Sequence, residues 1–229
     1  MNGWRKAGVL VCGLCLAASL ALAGEEAKAE EGVTVLFDGK GLDAWTQKAQ
    51  GGWTVDDEGC LAWQKGCGYI WTKEQFGNFV LDLDFKVSPG CNSGIFIRTA
   101  KTGDPVQTGI EIQVLDSHTR EKPGKNDCCS VYDCLAPSKN AEKKPGEWNH
   151  VAITCNDNKI EIVLNGEKVI DMDLDQWTEA RKNPDGSGNK FKTAYKDMPR
   201  KGHIGFQDHG KAVWYRNIKI KELPEKKSL

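Results

Sequence analysis

From Val33 onward, short apolar runs alternate with turn-forming residues: VTVLF, GWTV, CLAW, GYIW, NFVLDLDFKV, SGIFIR, GIEIQVL, HVAITC, KIEIVLNG, KVIDMDL, HIGF and VWYRNIKI. Runs of this length, rich in β-branched and aromatic residues, predict a succession of strands. The period is clearest between Phe79 and Val87, where the odd positions are apolar and Asp82, Asp84 and Lys86 fall on the opposite face. A strand with that alternation buries one side and wets the other. Asp157-Asn158 and Asn165-Gly166 mark two successive hairpin turns, because both pairs tolerate the left-handed backbone that tight hairpins need. One helix is expected around Asp175 to Lys182, capped by Asp175 and stopped by Asn183-Pro184-Asp185-Gly186. The Gly-, Lys- and Pro-rich stretch from there to Arg200 reads as a long loop over one rim. The expected fold is therefore all-β: a jelly-roll sandwich of two antiparallel sheets with one short helix and a groove on its concave face.

The first residues break this pattern. Arg5 and Lys6 precede an uncharged apolar run ending in Ala21-Leu22-Ala23, and acidic residues begin at Glu25. This is the layout of a cleavable signal peptide, residues 1–23, with Gly24 starting the mature chain. Residues 24–32 are too polar to pack and read as a flexible leader, which leaves residues 33–229 as one domain. The expected location is periplasmic or extracellular, with no membrane span after cleavage. Losing Arg5 and Lys6 takes the formal net charge from −1 to about −3, which gives no sign of a nucleic-acid surface. Seven cysteines lie beyond the cut. An oxidising compartment favours pairing among them, Cys60 with Cys67 and Cys128 or Cys129 with Cys134 being candidate local bridges. Their spacing lacks the paired knuckles of a structural zinc site.

Three segments carry candidate chemistry. In Gly109-Ile110-Glu111-Ile112-Gln113-Val114-Leu115-Asp116, period two sets Glu111 and Gln113 side by side, ~7 Å apart along one strand face. In Asn92-Ser93-Gly94-Ile95-Phe96-Ile97-Arg98 a guanidinium falls deep in an otherwise apolar strand, where it needs a ligand or a partner such as Glu111. Gly205-Phe206-Gln207-Asp208-His209-Gly210 is a strand running into a turn whose polar side chains converge on a rim. His118 and His150 have no such setting and read as structural.

Together these segments resemble the 3-keto-disaccharide hydrolase family, whose fold is concanavalin A-like. The likeness runs from Val35-Leu36-Phe37-Asp38-Gly39 to Arg216-Asn217-Ile218, with NSGIFIR, GIEIQVLD, GEWN and FQDHG in the family's order. Ile110 stands where the family often has an aromatic residue, and Cys129-Ser130-Val131-Tyr132 replaces a small Gly-Ala pair. Carried over residue by residue, the resemblance implies a cleft lined by Arg98, Glu111, Gln113, Asp116, Gln207 and His209.

The activity it implies is cleavage of a glycoside already oxidised at C3 by a separate sugar oxidoreductase. The ketone acidifies the C2 hydrogen, so a base can remove it, the C1 substituent can leave by elimination, and water can add to the enone. That chemistry needs a base, a stabiliser for the enolate oxygen and an acid. Our assignment to these roles is Glu111 as base, Arg98 with Gln113 as the ketone and enolate clamp and His209 as acid or orienter, with Asn92, Asp116 and Gln207 expected to bind substrate. No cofactor is identified. A divalent metal replacing part of the clamp stays open, although the sequence has no compact ligand set. Two rivals stand beside this reading: a direct glycosidase using Glu111 and Asp116, and a non-catalytic carbohydrate-binding module of the same fold.

Overall fold

The computed structural model describes Met1, residues 31–47 and residues 51–225. The expected signal peptide and nearly all of the leader lie outside the described residues. The sandwich is the unit Glu31–Leu229. Its strands in chain order are β1 Val33–Phe37, β2 Trp45–Gln47, β3 Thr54–Val55, β4 Leu61–Ala62, β5 Ile70–Thr72, β6 Phe79–Val87 and β7 Asn92–Thr99. A four-residue helix, α1 Pro105–Thr108, precedes β8 Ile110–Leu115. The chain continues with β9 Asn149–Asn156, β10 Lys159–Leu164, β11 Glu167–Asp173, β12 His203–Phe206 and β13 Val213–Glu222.

Two antiparallel sheets form the layers. The larger runs β11-β10-β9-β6-β13-β4-β3, with β1 also paired to β13, and the smaller runs β2-β5-β12-β7-β8. β6 alternates buried and half-buried along its whole length, and its apolar face sends Leu81, Leu83 and Phe85 into the core. The two hairpin turns form as expected, with Asp157 and Asn165 at φ 59° and 52° and Gly166 at 84°. All twelve expected strand segments contain a strand. β2 is an addition, too short to give a period.

The expected helix at Asp175 to Lys182 does not form. Only a 3₁₀ turn, Leu174–Gln176, occupies its start, and its cap is Asp173, whose side chain accepts from the Asp175 amide. Burial explains the difference, because Leu174 and Trp177 are buried there while residues 178–182 are exposed. An isolated helix with no apolar stripe has nothing to hold it. All seven described cysteines are free thiols, each buried, so the expected local bridges are absent from this structure.

The smaller sheet is covered on both faces. Ile95, Ile97, Ile110, Ile112 and Val114 point into the inter-sheet core. On the outer face Phe96 packs with Tyr69 and Trp71, ring centroids 5.8 Å away in each case. Gly205 makes that layer possible, since a Cβ there would sit 2.2 Å from the Trp71 ring.

Candidate functional site

The outer face of the smaller sheet holds a cleft of about 210 Å³ lined by Tyr69, Asn92, Val106, Glu111, Gln113, Tyr132, Lys190, Gln207 and His209. Its floor comes from β8 and its neighbour β7. Cross-strand pairing sets Phe96 opposite Glu111 and Gly94 opposite Gln113. Past the end of β12, the Gln207 amide donates to the Gly94 carbonyl at 3.0 Å, so Gln207 extends that floor sideways. Gly94 lies directly beneath the Glu111 side chain. A Cβ on it would come within 2.7 Å of Glu111 Oε1 and 3.1 Å of its Cγ.

Glu111 is 5 % exposed. Burial pushes its carboxyl above the ordinary range, while the Lys190 charge, a hydrogen bond from Gln207 and His209 pull the other way. Gln207 Nε2 donates to Glu111 Oε1 at 3.2 Å and to the Tyr69 hydroxyl at 3.3 Å. Gln113 Nε2 donates to Asn92 Oδ1 at 3.0 Å. These bonds orient both amides so that Gln113 Oε1 and Gln207 Oε1 are buried acceptors without a protein partner. Both oxygens are enclosed, so it is the exposed edges of these amides beside the carboxylate that give the cleft its polar floor.

The rim is assembled from distant loops. Asp208 accepts from Trp63 Nε1 at 2.5 Å, from the Gly68 amide at 3.0 Å and from the Gly210 amide at 2.9 Å. That carboxylate ties the turn carrying His209 to the loop before Tyr69. Tyr132 stands in the Cys129-Ser130-Val131-Tyr132 segment, and its amide donates to the Glu111 carbonyl at 2.9 Å. The Lys190 ammonium lies over the Tyr132 ring, 3.9 Å from its centre.

Five of the seven expected site residues therefore meet in one cleft: Asn92, Glu111, Gln113, Gln207 and His209. Arg98 and Asp116 do not. β7 pairs with β12 in steady register up to Phe96, but His203 then faces Thr99, so Ile97 and Arg98 together oppose Ile204. This is a bulge, and Arg98 sits in it at φ 50°. The extra residue breaks the alternation that would have aimed Arg98 into the cleft. Its guanidinium instead donates to the carbonyls of Gly77 at 2.9 Å and Asp157 at 2.7 Å, and to Asn78 Oδ1 at 3.2 Å. It is neither an enolate clamp nor a partner of Glu111. Asp116 lies beyond the end of β8, where it accepts from the Gly90 amide at 2.8 Å and meets His118 Nδ1 at 2.8 Å. It secures a turn.

The sequence reading missed Tyr69, Val106, Tyr132 and Lys190. The departure at Cys129-Ser130-Val131-Tyr132 was a signal for Tyr132. Lys190, on a long loop among many lysines, had none. Among the described residues no group of three or more His, Cys, Asp or Glu is arranged to hold a metal ion. None of their helices is long and apolar enough to cross a membrane.

Comparison with known proteins agrees with this architecture. Residues 32–221 match the family model described as a 3-keto-alpha-glucoside-1,2-lyase-like domain. The chain is 32 % identical over 230 residues to the 3-keto-disaccharide hydrolase of Bacteroides thetaiotaomicron strain VPI-5482, covering 84 % of this chain and 79 % of that protein. A crystal structure from Parabacteroides distasonis, provisionally designated a glycosyl hydrolase, shares 39 % identity at a TM-score of 0.76 over 83 % of this chain and 99 % of the other. A second protein from the same organism, with the same designation, shares 27 % identity at a TM-score of 0.67 over 85 % and 95 % of the two chains.

Proposed function

Since the chain belongs to the 3-keto-alpha-glucoside-1,2-lyase-like family, we propose that it is a glycoside-cleaving enzyme whose substrate is a 3-keto-glycoside, opened by elimination across C1 and C2. The observation that carries this reading is Glu111: a buried carboxylate, raised above its usual range, on the floor of a polar cleft. A base so tuned holds a proton more readily than a solvated glutamate, which favours its taking one from carbon.

In this mechanism Glu111 removes the C2 proton, and the C–H electron pair moves toward C3 as negative charge gathers on the ketone oxygen. That charge returns, a C1–C2 double bond forms and the C1–oxygen bond breaks. His209, at the rim, gives the departing oxygen its proton. Water then adds across the double bond to release a 3-keto sugar, and both groups reset by exchange with solvent. Gln113 and Gln207 line the cleft as its polar floor, and Asn92 holds Gln113 in place. The substrate requires a preceding oxidation at C3, so a sugar 3-oxidoreductase acts upstream. Export ahead of Gly24 completes the reading.

Glu111 is the only carboxylate among the residues lining the cleft, which weighs against a direct two-carboxylate glycosidase. A binding module would need no such buried acid. The deciding experiment offers a 3-keto-glucoside and the unoxidised glucoside in heavy water. Cleavage of the keto form alone is expected, with deuterium at C2 of the product above an enzyme-free control. Cleavage of both at similar rates, or sugar binding with cleavage of neither, would refute the proposal.

A further inference from the structure

Removing Arg98 from the cleft leaves the mechanism without its expected cation to meet the enolate oxygen. The glutamine donors are committed, and the Tyr69, Tyr132 and Asn92 groups that remain are neutral. Gln113 Nε2 is bonded to Asn92 and Gln207 Nε2 to Glu111 and Tyr69, and His209 serves the leaving group. Lys190 is the one Lys or Arg lining the cleft.

Its backbone is fixed from several sides. The Lys190 amide donates to Asp133 Oδ2 at 2.8 Å, and its carbonyl accepts from Gln107 Nε2 at 3.3 Å. Gln107 Oε1 in turn accepts from the Lys192 amide at 2.9 Å. Between them, Asn189 N donates to the Arg181 carbonyl at 3.0 Å, and the Phe191 carbonyl accepts from Arg181 N at 2.8 Å. An otherwise long loop is thus fastened to α1 and to the turn after Tyr132. The side chain, laid over the Tyr132 ring, is the free part. Among the described residues no salt bridge within 4.0 Å joins it to Glu111, although its charge reaches the carboxyl and pulls it down. A cation on an anchored backbone, lining the same cleft as a base, is placed to stabilise charge passing from carbon to oxygen.

We infer that Lys190 is the enolate-stabilising residue, donating a hydrogen bond from its ammonium to the C3 oxygen as Glu111 takes the C2 proton; this rests on the function proposed above. No electrons pass to Lys190 and its proton is not lost. It meets the charge that the departing C2 proton leaves behind and releases it when the C1–oxygen bond breaks.

The test compares wild type, Lys190→Met and Lys190→Arg on a 3-keto-glucoside, recording kcat, KM, their pH profiles and C2 deuterium exchange. Lys190→Met is expected to lower kcat about 10²- to 10³-fold with a smaller change in KM. C2 exchange should fall in step, because the enolate itself is what the lysine supports. Lys190→Arg should recover much of the loss. The acidic limb of the kcat/KM profile should move to higher pH in Lys190→Met, since the cation facing Glu111 is gone. Turnover within two- to threefold of wild type, a loss confined to KM, or exchange that persists while cleavage falls would each overturn the assignment. Thermal unfolding checks that the variants are folded, which the exposed Lys190 side chain favours. If wild type itself leaves the keto-glucoside uncut, the functional reading fails and Lys190 with it. If wild type cuts and Lys190→Met matches it, only Lys190 fails.

Discussion

Gly94→Ala adds one methyl group at the point where the floor of the cleft meets the proposed base. Gly94 does not need a positive φ, so alanine brings no backbone strain and the effect is confined to the new Cβ. That atom would lie 2.7 Å from Glu111 Oε1, 3.1 Å from its Cγ and 3.2 Å from its Cδ. Restoring ordinary contact requires the carboxylate to retreat by roughly 0.7 Å or more. Displacements near 1 Å from a productive geometry cost about 10²-fold in rate, and overpacking a fitted site costs ~1–3 kcal/mol of stability. Gly94→Ala should therefore lower kcat on a 3-keto-glucoside by about two powers of ten, while the variant still unfolds cooperatively at a modestly lower Tm. Glu111→Gln should lower it further, by 10²- to 10⁴-fold, because the base is removed outright. The double variant should be no slower than Glu111→Gln alone, since the alanine acts only through the carboxylate it moves. Full turnover in Gly94→Ala, or additive losses in the double variant, would refute the reasoning.

Arg98→Lys should lower Tm and leave the kcat of the folded enzyme near wild type, because an ammonium cannot serve Gly77, Asn78 and Asp157 at once; a large fall in kcat at unchanged Tm would return Arg98 to the chemistry. Glu142 gives a pH prediction. Burial raises its pKa to about 7 from an ordinary 4.5, so the folded state favours the protonated acid. Stability from this group is complete below about pH 4.5 and is lost as pH rises through about 7, a difference of about 3 kcal/mol at most. Glu142→Gln keeps an oxygen for the Ser117 amide and hydroxyl and should be more stable than wild type at pH 8 but not at pH 5 in urea unfolding. A gap between the two proteins that does not change with pH would overturn it.

The sandwich was legible because strands with one buried face carry their register in the sequence. Phe79 to Val87 alternates in burial as it does in composition, and Asn165-Gly166 turns where the pattern breaks. Glu111 and Gln113 could be read as neighbours for the same reason. Arg98 could not, because a bulge is set by how two strands pair and leaves no mark on one of them. The span from Asp175 to Lys182 held a cap and a stop without an apolar stripe between them, and local signals alone do not make a helix. Tyr69, Tyr132 and Lys190 reach the cleft on loops whose course depends on long-range bonds such as Asp133 to Lys190 and Asp208 to Trp63.

The seven buried thiols bear on how this protein is lost once it opens. Burial lifts the pKa of Cys91, Cys134 and Cys155 to about 12 and that of Cys67 to about 11, so these four offer almost no thiolate to an oxidant while the chain is folded. Unfolding returns those four to ordinary acidity and exposes all seven buried sulfurs, an odd number that then pairs in arrangements the sandwich cannot hold. In air the native state is thus guarded by its unfolding barrier: the apparent melting point should climb with scan rate, and a thiol reductant should restore refolding.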